Sequence, residues 1–197
     1  MNPFRKAPLL LLPLALSACM IPTGPVEVTR FNRVAEGVVY GKGSFSVTPG
    51  DAAAGDSLKL SPYLAAVERE MLRVGYTQAL DQGDVVAEVT LSRIEFRGNS
   101  RSPVSVGAGG STGSYGSGVG VGVGVNLNAL GDQRGIETAL NVRILRTTDN
   151  LVIWEGRAVQ RGALNSPAAQ PGIASSKLAE ALFKDFPGTN GETVTVP

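Results

Sequence analysis

Two strand-like segments, separated by a short turn, constrain the fold of this chain most strongly. In the first, Ile136, Leu140, Val142 and Ile144 share alternate positions with Thr138, and residues 151–159 return as the next strand. A period of two is typical of a β-strand with one buried face. Residues 147–150 include Asp and Asn, which suit a turn. The pattern predicts an antiparallel hairpin, with the single tryptophan, Trp154, as a core residue rather than a ligand platform.

Two helices are predicted from apolar residues that recur at three- and four-residue spacing. The first covers 62–74, with Ser61 as N-cap and Pro62 at the first helical position. Gly75 suits a left-handed helix stop. The second helix covers 173–184.

Further strands complete the expected sheet, at 26–31, 43–47 and 84–97. Within 84–97 the apolar parity changes after Ser92, which indicates either a bulge near Ser92 and Arg93 or a change in what covers the sheet. Residues 193–196 are either a short edge strand or part of a C-terminal tail over 189–197.

These elements predict one α+β domain over 26–188, an antiparallel β-sheet of four to five strands with two α-helices packed on one face. The other face of the sheet is expected to be open and polar. The expected core comprises Leu64, Val67, Met71, Val85, Val89, Leu140, Val142, Trp154, Leu178 and Leu182.

A glycine-rich segment interrupts the domain between residues 98 and 135. Nine of the eighteen residues in 107–124 are glycine, and 118–125 alternates as Gly-Val. Three interpretations are open: a flexible loop over 98–135, a strand extension with its valines on one face, or a segment that contacts membrane or self-associates. No register gives the G-x-G-x-x-G spacing of a dinucleotide loop.

The N-terminus carries a targeting signal. Arg5 and Lys6 precede an apolar run over 8–16 that is too short to span a bilayer. The motif Leu-Ser-Ala-Cys occupies 16–19, so that Ala18 precedes Cys19. This motif resembles the lipobox of bacterial lipoproteins, which implies cleavage between Ala18 and Cys19 and lipid attachment to the cysteine.

The lipobox implies a signal peptide over 1–18 and a lipidated tether over 19–25. The attached lipid would hold the domain on the cell envelope. Met20 stands where an aspartate favours inner-membrane retention in some bacteria, so the outer membrane, facing the periplasm, is the expected location.

Missing residue types exclude several chemistries. The chain has no histidine and one cysteine, so it has no Ser-His-Asp triad, no Cys-His pair and no cysteine–histidine metal cluster. No serine precedes a lysine at the S-x-x-K spacing. A net charge of +1 does not suit a nucleic-acid binder. We expect no cofactor, no metal and no nucleic-acid partner.

Paired carboxylates are the remaining catalytic option. Glu68 and Glu70 lie two residues apart on the first helix and point in different directions. Glu88, Glu137 and Glu155 lie on predicted strands and can share a sheet face. A solvated sheet face is the simpler interpretation. A carboxylate-dependent hydrolase of cell-wall or surface glycans is the alternative.

Several segments together resemble one family, the DUF4136 bacterial lipoproteins. They are SPY at 61–63, GY at 75–76, DVV at 84–86, LVIWEG at 151–156 and LFKDFPG at 182–188, with the lipobox before and the glycine-rich insert between. The resemblance covers most of 26–188. It implies an envelope location and the fold, and it lends no catalytic site.

The expected function is therefore non-catalytic binding or scaffolding by a membrane-anchored envelope lipoprotein. Its expected partners are the membrane, through the N-terminal lipid, and an envelope protein. Self-association through the Gly-Val segment is a further hypothesis.

The lipid anchor can be tested directly. Cys19→Ser removes the sulfur that accepts the lipid, so this variant should lose labelling by a fatty-acid analogue and move from the membrane to the soluble fraction. Persistent labelling of the variant would contradict lipidation at Cys19.

Overall fold

A computed structural model describes residues 23–33, 38–50, 57–97, 104–108, 121–125 and 134–197. The elements are strands β1 (Val26–Asn32), β2 (Ser44–Pro49), β3 (Thr77–Gln78), β4 (Val85–Arg97), β5 (Val104–Ala108), β6 (Val121–Val125), β7 (Arg134–Arg146), β8 (Leu151–Ala163) and β9 (Thr193–Val196), and helices α1 (Ser57–Arg73) and α2 (Pro171–Phe183). A short 3-10 helix, Pro167–Ala169, precedes α2.

The fold is a mixed sheet with two helices on one face. Among the described strands, seven form one sheet in the order β3-β2-β4-β7-β8-β1-β9. The α+β class is confirmed, but the prediction of four to five strands is wrong. The two strands beyond five are β3, whose two residues are too few to show a period, and β9, which lies in the segment expected as either an edge strand or a tail.

The sheet is also not wholly antiparallel. Strand β2 runs parallel to both β3 and β4, whereas the remaining neighbours in the sheet are antiparallel. Helix α1 connects β2 to β3 and β4, and a crossover through a helix returns the chain in its original direction.

Helix α1 begins earlier than the sequence predicts. It starts at Ser57, so Ser61 is not its N-cap and Pro62 lies inside it. Leu60 and Tyr63 are both buried, which extends the apolar stripe by one turn toward the N-terminus. Burial of this added turn outweighs the hydrogen bond that Pro62 cannot donate. The helix ends as predicted before Gly75, whose φ is 110°.

One hydrophobic core joins both helices to the sheet. The expected core is confirmed, except that Leu64 is only half-buried at its rim. Leu60, Tyr63, Val26, Val28 and Phe45 are among its further members.

Trp154 fills the centre of this core, as predicted, and is 1% exposed. Its ring stacks on Phe183 with a centroid distance of 5.3 Å and lies 5.2 Å from Phe186. Its indole Nε1 donates a hydrogen bond to the Pro187 carbonyl at 2.9 Å. Gly156 leaves room for the ring, because a Cβ there would lie 2.4 Å from the Trp154 Cη2.

Strand β4 pairs with β7 in an unbroken register, so the predicted bulge near Ser92 is wrong. The alternative, a change of cover, is what the structure has. Arg93 occupies an inward position and donates to the Ala169 carbonyl at 2.7 Å, beyond the apolar core. On the other face the Phe96 ring covers Gly135, and a Cβ added at Gly135 would lie 2.4 Å from the Phe96 Cζ.

Two strands lie within the glycine-rich segment. Strands β5 and β6 pair antiparallel, with Val104 opposite Val125 and Ala108 opposite Val121, in a sheet of their own. The interpretation of 98–135 as one flexible loop is therefore wrong for these strands. The rest of 98–133 lies outside the described residues.

Short polar contacts hold the outer strands. The Asp84 Oδ2 accepts hydrogen bonds from the Ser44 amide and hydroxyl, both at 2.8 Å, which lower the pKa of the Asp84 carboxyl. At the other edge β9 pairs with β1, so of the two interpretations of 193–196 the edge strand is confirmed.

The close packing around Gly156 predicts how a larger residue there would change the stability of the fold. Gly156→Ala should lower the free energy of unfolding by about 1–3 kcal/mol, because the added methyl overpacks the Trp154 ring and the Leu182 Cδ1 at 2.8 Å. Gly172→Ala is the matched control. A Cβ there meets nothing within 4 Å, so the helix should be unchanged or stabilised by up to about 1 kcal/mol. Denaturant unfolding measures both, and equal stability of the two variants would contradict the packing described.

The candidate functional site is an open sheet face

The side of β1, β4, β7 and β8 that points away from both helices forms a polar surface, here called the open face. Val26 and Val28 point inward, so the alternate residues of β1 point outward, and the other strands follow through their register. The charged residues of the open face are Glu27, Glu88, Glu137, Arg143, Glu155, Arg157 and Arg161.

Ion pairs cross the strands on this face. The Arg143 Nη1 lies 3.3 Å from the Glu88 Oε2, and the Arg161 Nη2 lies 2.7 Å from the Glu137 Oε2. Arg143 is also the cross-strand neighbour of Glu155. Exposed pairs of this kind stabilise a fold by only about 0–1 kcal/mol. They therefore cost little to rearrange when another surface approaches.

A row of polar residues crosses the middle of the open face. The Arg157 Nη1 donates to the Asn141 Oδ1 at 3.3 Å. Arg157 is also the cross-strand neighbour of Thr29, whose hydroxyl lies 2.8 Å from that of Thr193 at the sheet edge. Hydroxyl, amide and guanidinium groups thus alternate across the row, and each can hydrogen-bond an approaching surface.

Two exposed apolar side chains border the polar rows. Phe31 on β1 is 53% exposed and Ile94 on β4 is 58% exposed. They lie at opposite corners of the open face, since Phe31 is opposite Glu155 and Ile94 is opposite Glu137. A face of this kind offers both apolar contact area and directional polar groups.

The three carboxylates expected to share a sheet face do so. Glu88 and Glu155 flank Arg143, which places their strands about 10 Å apart. Glu137 lies six residues from Arg143 along β7, or about 20 Å. The nearest two therefore have a guanidinium between them on a flat face.

The helix carboxylates also have partners. The Glu68 Oε1 accepts a hydrogen bond from the Gln78 Nε2 at 2.6 Å, and the Glu70 Oε2 lies 2.6 Å from the Arg73 Nε. Within the described ranges, no group of three or more Asp, Glu, His or Cys residues is arranged to hold a metal ion.

A buried arginine, missed by the sequence analysis, lies near the end of α2. Arg30 is 4% exposed, and its Nε and Nη2 donate to the Leu182 and Ala181 carbonyls, each at 2.9 Å. Burial lowers the Arg30 pKa, and Asp185 and Glu192 partly oppose that shift. The sequence did contain a signal for its burial. Arg30 follows Val26 and Val28 at every second position of β1, and these positions face inward.

A polar row also crosses the helix-covered side of the sheet. Arg93, Thr138 and Gln160 are successive cross-strand neighbours there. Burial raises the pKa of Tyr63 beside this row, and the charge of Arg93 opposes part of the shift. At the far end the Gln160 Nε2 donates to the Thr23 carbonyl at 2.6 Å. This contact fixes the start of the domain to the sheet.

The predicted lipid site, Cys19, and the cleavage position between Ala18 and Cys19 lie outside the described residues, as does the whole of 1–18. Among the residues that are described, neither helix has the length and apolar character needed to cross a bilayer.

Comparison with known proteins gives a family and distant structural likenesses. An uncharacterised protein of Zymomonas mobilis is 30% identical in an alignment 217 positions long, which covers 88% of this chain and 81% of that protein. A PDZ domain protein from Parabacteroides distasonis has a TM-score of 0.47 and 14% identity over 87% of this chain, and this chain spans only 38% of it. A PelC dodecamer from Paraburkholderia phytofirmans has a TM-score of 0.38 and 8% identity, covering 79% of this chain and 93% of that one.

The family is shown by a match that covers most of the chain. The profile of DUF4136, a domain of unknown function, matches residues 30–188, from the buried Arg30 of β1 to Gly188 after α2. The family resemblance inferred from the sequence segments is thereby confirmed. The chain belongs to the DUF4136 family.

Proposed function

We propose that this protein is a lipid-anchored, non-catalytic module of the bacterial cell envelope that binds another envelope protein through its open face. The observation that carries the proposal is the arrangement of the sheet. Both helices pack on one side, and the opposite side presents ordered charged rows with exposed Phe31 and Ile94 at its corners.

The size of the face supports a protein partner. Its four strands at a spacing of about 4.8 Å give a surface about 20 Å across, and β4, β7 and β8, with 13 residues each, make it about 40 Å long. A standard protein–protein interface buries about 800 Å² on each partner, which is a patch of similar area. Alternating arginines and glutamates select partners of complementary charge pattern more than they add affinity.

The carboxylate geometry favours binding over glycan hydrolysis. A glycosidase holds two carboxyl groups about 5–10 Å apart on either side of the bond that it cleaves. Here Arg143 lies between Glu88 and Glu155, where the substrate bond would need to sit. This geometry supports the binding role, and hydrolysis of glycans is the alternative.

The proposed location follows from the lipobox. Lipid on Cys19 would hold the domain at the membrane, and the absence of aspartate after the cysteine favours the outer membrane, facing the periplasm.

Site-specific photocrosslinking tests the binding role. A photoreactive amino acid at Arg157, in the centre of the open face, should give one dominant protein adduct in living cells. The same residue at Leu72, which is 46% exposed on α1, is the matched control and should give little adduct. The adducts are separated by electrophoresis and identified by mass spectrometry. Equal capture from both positions, or none from Arg157, would contradict binding through the open face.

A further inference from the structure

One end of the sheet carries two arginines that face each other. Arg97 and Arg134 form the last cross-strand pair between β4 and β7, and both are exposed. Neither makes an ion pair with an acidic side chain in the part of the chain that the structure describes. Like charges directly opposite each other destabilise a sheet. An anion from outside the fold would relieve this repulsion.

The other charges at this end leave it positive. Arg161 is neutralised by Glu137, and Arg93 is engaged with the Ala169 carbonyl. Among the described residues of the last three cross-strand pairs of β4 and β7, Glu95 is the acidic one, and it lies on the same strand and face as Arg97. This end of the sheet therefore has one glutamate for two arginines that form no ion pair with the described residues.

The tether begins at the same end of the sheet. The buried Gln160 side chain holds the Thr23 carbonyl beside β8, and Ala163 at the end of β8 is the cross-strand neighbour of Gly135. Arg134 therefore lies about two strands, or 10 Å, from the start of the domain, and Arg97 lies about 14 Å away.

Chain length limits how far this end can move from the membrane. Thr23 follows Cys19 by four positions, and this stretch spans at most about 14 Å when fully extended. Charges on a membrane surface act over a Debye length of about 8–10 Å at physiological salt. A lipid on Cys19 would thus allow the arginine pair to come within electrostatic reach of the headgroups.

We propose that the Arg97–Arg134 end of the sheet docks on anionic phospholipid headgroups of the membrane that holds Cys19. The phosphates supply counterions to the two arginines, and the docking fixes the orientation of the domain. This inference rests on the lipid anchoring proposed above. It leaves the open face roughly perpendicular to the bilayer and free to bind a partner.

The orientation can be measured by energy transfer from the protein to the membrane. Cys19 is the only cysteine of the chain, so lipidation leaves an introduced cysteine as the single thiol. Asn165→Cys, next to the Leu164 amide that bonds to the Arg134 carbonyl, reports on the docked end. Thr148→Cys, in the turn at the other end of the same hairpin and about 40 Å away, is the matched control.

The full lipidated protein is labelled at one cysteine and placed in phosphatidylcholine vesicles that contain headgroup-labelled acceptor lipid, with or without phosphatidylglycerol. With phosphatidylglycerol, transfer should be strong from position 165 and weak from 148. The double variant Arg97→Glu and Arg134→Glu should lower the equilibrium constant for docking by at least about thirtyfold. The double lysine variant keeps both charges and should preserve docking.

The outcomes separate this inference from the proposed anchoring. Equal transfer from both positions, or transfer unchanged by charge reversal or by omitting phosphatidylglycerol, overturns headgroup docking while leaving anchoring intact. Protein that remains in solution, with no transfer from either position, overturns the lipid anchor and this inference together.

Discussion

The packing of Trp154 against the end of α2 is the interaction on which the rest of the structure depends. The ring stacks on Phe183, lies over Gly156 and donates to the Pro187 carbonyl. It thereby joins β8, α2 and the loop after α2 at one point. Truncating a buried ring of this size to alanine typically costs about 3–5 kcal/mol, a large share of the stability of a single domain.

Arg30 extends this junction to β1. With α2 held by Trp154, its last carbonyls meet the Arg30 guanidinium in a buried position. Removing either side would leave a buried charge or buried carbonyls without partners, so α2 and β1 hold each other in place. Because β1 follows the tether directly, the orientation of the domain on its proposed anchor depends on the same core.

Elements long enough to show a periodic apolar pattern could be predicted from the sequence. Features that depend on how strands pair could not. The 136–159 hairpin, α2 and the burial of Trp154 follow from periodicity, and the structure confirms them. Strand β3 is too short for a period, and four residues at 193–196 left β9 open between an edge strand and a tail. The inward turn at Leu60 extends α1 beyond the point where Pro62 suggests its start.

The candidate site divides in the same way. Alternation alone places Glu88, Glu137 and Glu155 on one sheet face. Which arginine meets which glutamate follows from the pairing of β4, β7 and β8, and no single segment contains that information. The facing of Arg97 and Arg134 is likewise a property of register, since 36 residues separate them in the chain. Arg30 alone had a local signal, a charge at an inward position.

The central claim is that the open face is covered by a partner in the envelope, and carboxyl footprinting tests it most directly. Carbodiimide labelling of envelope membranes and of detergent-purified protein is compared residue by residue. Exposed Glu27 and Glu155 on the open face should label more slowly in the membranes, while exposed Glu180 on α2 should label equally in both. Equal labelling of all three carboxylates in the two preparations would contradict the account.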